Sequence, residues 1–175
     1  PSFIWGSLSL QADIAEKIGI NISLAFEITD RNGEEKFDAS LNENLDALEK
    51  YSGSHYVHPT VGMHASFTLS DDSLKKIHDA VSALESWGIH IHVSEDMADE
   101  LDAADRGYGS VLERLNQFDL INRNSLIIHG LHIKETDVNL IGEHNAMFIH
   151  NPSSNANNRV GMTPNLNLDE LYSGL

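Results

Sequence analysis

Apolar and polar positions follow two periods along this chain, and their alternation predicts the architecture. Five short runs are apolar or alternate with period two: I-N-I-S-L-A-F-E-I (20–28), T-V-G-M-H (60–64), I-H-I-H-V-S (89–94), S-L-I-I-H (125–129) and A-M-F-I-H (146–150). Such runs read as strands. The stretches between them carry apolar residues three and four apart, which reads as helix. Leu10, Ile14 and Ile18 predict the buried stripe of a helix over 9–17 that stops at Gly19. Leu41, Leu45 and Leu48 do the same over 40–51. Leu74, Ile77, Val81 and Leu84 mark a third helix, with Ser70 as its N-cap, Asp71 and Asp72 in its first turn, and Gly88 as its stop. A helical region over 97–118 breaks at Arg106-Gly107, and a short helix covers 135–141. T-D-R-N-G (29–33) is a turn cluster. The polar stretch 150–161 has no apolar period and reads as a loop. Residues 169–175 begin another helix.

Strand and helix alternate throughout, with no linker or break in composition. That pattern predicts one α/β domain of five parallel strands joined by right-handed helical crossovers. Periodicity leaves a flat sheet and an arc of a barrel both open. Length narrows the choice. A βα unit takes roughly 30 residues, so about six fit into 175, whereas a closed eight-stranded barrel takes about 250. The chain starts at Pro1 in mid-pattern, and we expect it to be a piece of a longer protein.

Candidate chemistry lies at the strand ends. His64, His92, His129 and His150 each close or follow a strand run. Parallel strands end on one rim, so these imidazoles are expected to converge, as a metal or proton-transfer site requires. Ten histidines in the chain make coincidence the competing reading. His90 and His92 are two apart and share a strand face. Two readings fit the pair: two ligands, or one hydrogen-bonded core imidazole and one surface imidazole. Glu95, three residues beyond His92, is either a proton-moving carboxylate or a solvated acid at a helix start. His129 closes a very apolar run, where an unpaired imidazole is costly to bury, and this favours a functional role. His132 reads as a supporting or surface residue. His55, His58, His78 and His144 fall in predicted loops or helices and draw no role. Ser153 and Ser154 have no base at nucleophile spacing, and neither G-x-G-x-x-G nor a P-loop is present.

Composition mainly excludes. A formal net charge of −16 argues against nucleic acid and anionic membrane as partners. No run of 18 apolar residues marks a membrane span. No secretory signal is visible, and a cytoplasmic location is expected. Without cysteine there is no disulfide and no thiolate ligand, so any metal must use His, Asp or Glu. N-I-S at Asn21 lies within a strand run and is read as fortuitous.

Four segments carry a resemblance to a known family: G-M-H-A-S-F-T-L-S-D (62–71), H-I-H-V-S-E-D (90–96), I-I-H-G-L-H-I (127–133) and F-I-H-N-P-S-S-N-A-N-N-R-V-G (148–161). In order and spacing they resemble the amidohydrolase superfamily, in its deaminase and chlorohydrolase branch. S-L-A-F-E-I-T-D-R-N-G (23–33), with the H-N-P-S-S-N-A-N-N segment, is similar to the SsnA subfamily of aminohydrolases, associated with selenium metabolism. The resemblance implies a partial TIM (β/α)8 barrel, about strands three to seven. It implies that His92 is a ligand of one divalent metal, zinc or iron. Glu95 would bind substrate and shuttle a proton, and His129 would face the attacking water or the substrate. His64 would contact substrate, and Asn151, Ser154 and Asn155 would shape the pocket after strand seven. G-M-H-A lacks the lysine that bridges two metals in some members, which favours one metal. The family's H-x-H pair and its final aspartate would lie outside these residues, since Asp169 sits in a helix-like stretch. The expected activity of the parent protein is hydrolysis of an amidine-like C–N bond in a small molecule. The alternatives are a hydrolytic dehalogenase, an amide hydrolase, or a non-catalytic metal-binding protein on the same fold. The 175 residues alone are expected to be inactive and to self-associate, and a homo-oligomer is the expected state.

Overall fold

The computed structural model describes residues 1–161. Seven α-helices and six strands follow one another along them: α1 Ser7–Ile18, β1 Ile22–Leu24, α2 Glu34–Lys50, β2 Val57–Pro59, β3 Val61–Ala65, α3 Asp71–Val81, β4 Ile89–Val93, α4 Met97–Asp105, α5 Val111–Gln117, β5 Leu126–His129, α6 Glu135–Glu143, β6 Met147–Ile149 and α7 Pro152–Asn158. The sheet order is β3-β4-β5-β6, all parallel, and β1 pairs in parallel with β2. The predicted helix over 169–175 lies outside the described residues.

The run 20–28 and the stretch 57–65 form one parallel pairing with a wedge in it. β1 pairs with β2, and the pairing resumes as a bridge between Ile28 and Met63. Between these points the ladder is replaced by the side chain of Asn44, fully buried on α2. Asn44 Oδ1 accepts from the Phe26 and Gly62 backbone N–H groups at 2.9 and 3.0 Å. Its Nδ2 donates to the Phe26 carbonyl at 2.9 Å and the Ser40 carbonyl at 2.8 Å. The strands approach so closely here that a Cβ on Gly62 would meet the Phe26 carbonyl oxygen at 2.2 Å. Glycine is therefore required at this position. The stretch Val57–Pro59, read from sequence as a loop, is a strand because β1 supplies its partner.

On β4, Ile89, Ile91 and Val93 are fully buried towards the helices, while His90 and His92 share the other face. Leu74, Ile77 and Val81 pack α3 into this core, but the helix ends at Val81, well before Gly88, so Leu84 falls beyond it and is exposed. Ser70 caps the helix by accepting from the Ser73 N–H. Burial of each such side chain contributes roughly 1.5–3 kcal/mol. The break at Arg106 separates α4 from α5. The α5 residue Arg114 is fully buried. It donates to Asp71 Oδ1 from two nitrogens, at 2.7 and 3.0 Å, and to the Ser66 and Leu69 carbonyls at 2.7 Å each. These bonds pin the loop that follows β3.

Two further sequence expectations are corrected. Helix α1 does not bury Leu10, Ile14 and Ile18, which are 62%, 48% and 65% exposed. It packs on β1 and β2 through Leu8, Ala12 and Ala15. The two alanines let the helix lie close to the strands, and the stripe of Leu10, Ile14 and Ile18 faces outward. The segment after β6 is also not wholly a loop. It contains α7, with Pro152 at the first helical position, where its missing N–H costs nothing.

Candidate functional site

The C-terminal ends of β3, β4 and β5 bring His64, His92 and His129, all candidate site residues, onto one rim. His64 sits at a register irregularity, where the pairing with β4 shifts between Met63 and Ala65. Such a bulge re-aims a side chain at a sheet rim. The His64 ring lies 6.0 Å from His92, and its Nδ1 is 3.3 Å from Thr68 Oγ1. Alternation along β4 places His90 one step deeper, with its ring 6.4 Å from that of His92. The His92 ring lies edge-on to His129 at 5.2 Å.

Both turns leaving β4 and β5 use left-handed backbone at non-glycine residues, φ +50° at Ser94 and +74° at His129. Such conformations persist only where surrounding contacts hold them, and they concentrate at functional sites. The contacts here are explicit. Ser94 N–H donates to Asp99 Oδ2 at 2.9 Å, and the Ser94 carbonyl accepts from the Leu131 and His132 N–H groups. Ser94 Oγ donates to Glu100. Asp99 Oδ1 also accepts from the Phe67 N–H at 3.1 Å, tying the loop after β3 to the loop after β4. Burial pushes the Asp99 carboxyl up to about 6 and raises Glu100 as well. Asn44, Arg114 and Asp99 are supporting residues that sequence reasoning missed. Each is a polar residue on a helix, with no local signal that separates it from a solvated face.

The turn after β4 brings Glu95 back towards β5. Its Oε2 lies 3.7 Å from His129 Nε2, and its Oε1 accepts from Asn158 Nδ2 at 3.1 Å. Among the described residues, His92, Glu95 and His129 form a group whose potential ligand atoms lie within 4.8 Å of one another. Burial is the chief cause that pushes His92 down to about 3 and His90 to about 4. Both imidazoles are therefore neutral at pH 7 and hold a lone pair available to a cation. Burial also lowers His64.

The other candidates are placed as follows. Asn155 is buried and its Oδ1 meets His129 Nδ1 at 2.7 Å. Asn151 holds the N-cap position of α7, and Ser154 is exposed on that helix. His150 follows β6 and is exposed. His58 lies on β2 and His144 at the end of α6, where it meets Asn116 at 2.7 Å, both away from the histidine rim. A cleft of about 920 Å³ lies at the opposite end of the strands, lined by residues such as Ser23, Pro59, Trp87 and Asn124. It contains none of the clustered histidines. Active sites on parallel barrels form at the C-terminal ends of the strands, so we assign the chemistry to the histidine rim.

The chain is similar to known proteins over most of its length. It is 28% identical over 155 residues to the 5-methylthioadenosine/S-adenosylhomocysteine deaminase of Thermococcus onnurineus, covering 87% of this chain and 36% of that protein. The chain thus spans about a third of the relative's length. An adenosine deaminase from Xanthomonas campestris with bound zinc superposes with a TM-score of 0.80 at 19% identity, over 98% of this chain and 39% of that one. Atrazine chlorohydrolase from Arthrobacter aurescens, complexed with zinc, gives 0.74 at 10% identity, over 95% and 38%. These two likenesses establish the fold, an arc of parallel strands from a (β/α)8 barrel. A sequence profile of the Amidohydrolase family matches residues 7–168, and the chain belongs to that family.

Proposed function

We propose that these residues are the central portion, about strands three to seven, of one catalytic barrel, and that the parent protein is a metal-dependent aminohydrolase. The observation that carries this reading is the convergence of His92, Glu95 and His129 from two strand ends. The donor set is a neutral buried imidazole, a second imidazole and a carboxylate, which suits zinc or iron(II). His92 would be this chain's metal ligand. The remaining ligands, an H-x-H pair and an aspartate, would come from outside residues 1–175. A single divalent cation held there supplies Lewis-acid activation of water.

This chain's residues do the rest. Glu95 takes a proton from the attacking water and delivers it to the leaving nitrogen, so that water adds to the amidine-like carbon and ammonia departs. His129 hydrogen-bonds the attacking water or the substrate, and His64 contacts the substrate. Asn151 and Ser154, with Asn155, shape the side of the pocket formed by α7. Adenine nucleosides are the first substrates to test, because the archaeal relative is a 5-methylthioadenosine/S-adenosylhomocysteine deaminase. The selenium-linked SsnA assignment rests on the 23–33 and 150–158 stretches. The outward apolar stripe of α1, with exposed Phe3, Ile4 and Trp5, supports a homo-oligomer or a covering segment of the parent. No helix among the described residues is long and apolar enough to cross a membrane. A cytoplasmic location completes the reading.

The test is ammonia release from a panel of adenine nucleosides, other purines and pterins. The intact protein, loaded with Zn²⁺ or Fe²⁺, is assayed beside the 175-residue chain. Release by the intact protein alone is expected. The resemblance to a chlorohydrolase supports a second reading, dehalogenation, which chloride release from a triazine would establish instead. Bound metal without turnover on either panel would leave a non-catalytic metal-binding protein.

A further inference from the structure

A neutral imidazole carries one proton on one of two nitrogens, and its hydrogen-bond partner selects which. His129 is 4% exposed and Asn155 is 1% exposed, so water does not set this choice. Asn155 presents its carbonyl oxygen to His129 Nδ1 at 2.7 Å, the distance of a good hydrogen bond. A carbonyl only accepts, so a proton lies on Nδ1, and in the neutral ring the lone pair then lies on Nε2. Nε2 then faces Glu95 Oε2 across 3.7 Å, too far for a direct hydrogen bond. Two acceptors facing each other are stabilised by a shared hydrogen-donating or positively charged species, such as a water or a cation. The second oxygen of Glu95 is held by Asn158. Asn155 and Asn158 are three apart on α7 and therefore share a helix face. The Asn155 backbone is itself fixed, its N–H donating to the Asn151 carbonyl and its carbonyl accepting from the Val160 N–H.

Given that Glu95 and His129 handle the reacting protons, we propose that α7 sets the proton arrangement of the site. Asn155 locks His129 with its proton on Nδ1 and its lone pair on Nε2, and Asn158 orients the Glu95 carboxylate. Both asparagines are positioning residues acting through a neighbour. The competing arrangement has the Asn155 amide turned over. Its Nδ2, which has no hydrogen-bond partner as placed, would then donate to Nδ1 and drive the proton to Nε2. Nε2 would then point its N–H at Glu95 Oε2 and could not serve as a lone-pair donor.

Long-range ¹H–¹⁵N correlation spectra of the intact protein labelled with ¹⁵N-histidine decide between the two. The His129 resonance is identified by its loss in His129→Gln. The expected pattern is the Nδ1–H tautomer, retained in Asn155→Asp, which keeps an acceptor, and replaced by a mixture in Asn155→Leu. An Nε2–H pattern in the unaltered protein overturns the inference. So does an Nδ1–H pattern that survives Asn155→Leu unchanged, because another group would then set the tautomer. In the deaminase assay, Asn155→Leu should lower kcat about 10–100-fold, with a smaller change in KM and recovery in Asn155→Asp. The spectra do not depend on turnover. An Nδ1–H His129 in a protein that releases no ammonia would sink the proposed function and sustain the role of α7.

Discussion

Replacing Asn44 by leucine keeps a side chain of similar length and removes both ends of the amide. Three buried backbone groups lose their partner: the Phe26 N–H, the Gly62 N–H and the Phe26 carbonyl. The Ser40 carbonyl is one turn back on the same helix and keeps its helical donor. Each stranded buried group costs about 1–3 kcal/mol. The three are neighbours and their costs do not add fully, while the leucine regains part of the loss through apolar contact. The expected net loss is about 3–5 kcal/mol, a large share of the stability of an ordinary domain. For a chain of this length that corresponds to a fall in Tm of roughly 6–20 °C. Urea denaturation followed by circular dichroism measures it directly, with the slope against urea compared between variants. A loss below about 1 kcal/mol would refute the reasoning. It would mean that β1 and β3 close into an ordinary ladder once the amide is gone, and that Asn44 fills a gap rather than holding one open.

Two further outcomes are expected. Glu95→Gln should lower ammonia release by the intact protein about 10²–10⁴-fold, the usual range for a lost general acid–base group, with bound metal unchanged by elemental analysis. Loss of metal in that variant would instead make Glu95 a ligand. Asp99 gives a pH signature. Its folded pKa is raised to about 6 from an ordinary 3.8, so the folded state binds the proton more tightly than the unfolded state. Its contribution to stability is then full below about pH 4 and is lost as pH rises through 6, on the order of 2–3 kcal/mol. Comparing denaturation of the unaltered protein and Asp99→Asn at pH 4 and 6.5 isolates this group from His90 and His92, whose depressed pKa values act in the opposite direction. The advantage of the unaltered protein over Asp99→Asn should shrink between those pH values. An advantage that grows would contradict the assignment.

Local periodicity determined much of this molecule. A strand repeats every two residues, so His90 and His92 had to share a face, and parallel strands joined by helices had to end on one rim with His64 and His129. Ser70 declared its helix because an N-cap is satisfied within four residues of chain. Periodicity could not rank two faces of one helix. In α1 Leu10, Ile14 and Ile18 look like the core, yet Leu8 and the alanines are buried, because the face that carries Ala12 and Ala15 is the one set against β1 and β2. Asn44, Arg114 and Asp99 read as solvated, since nothing within a few residues of them reveals that the fold encloses each among backbone groups needing a partner. The segment 152–158 carries no apolar stripe. Its helix is instead held to the site by polar bonds, from Asn155 to His129 and from Asn158 to Glu95. The partners lie 26 and 63 residues apart in the chain. Tertiary structure alone decides such contacts, because only folding brings those atoms within hydrogen-bond reach.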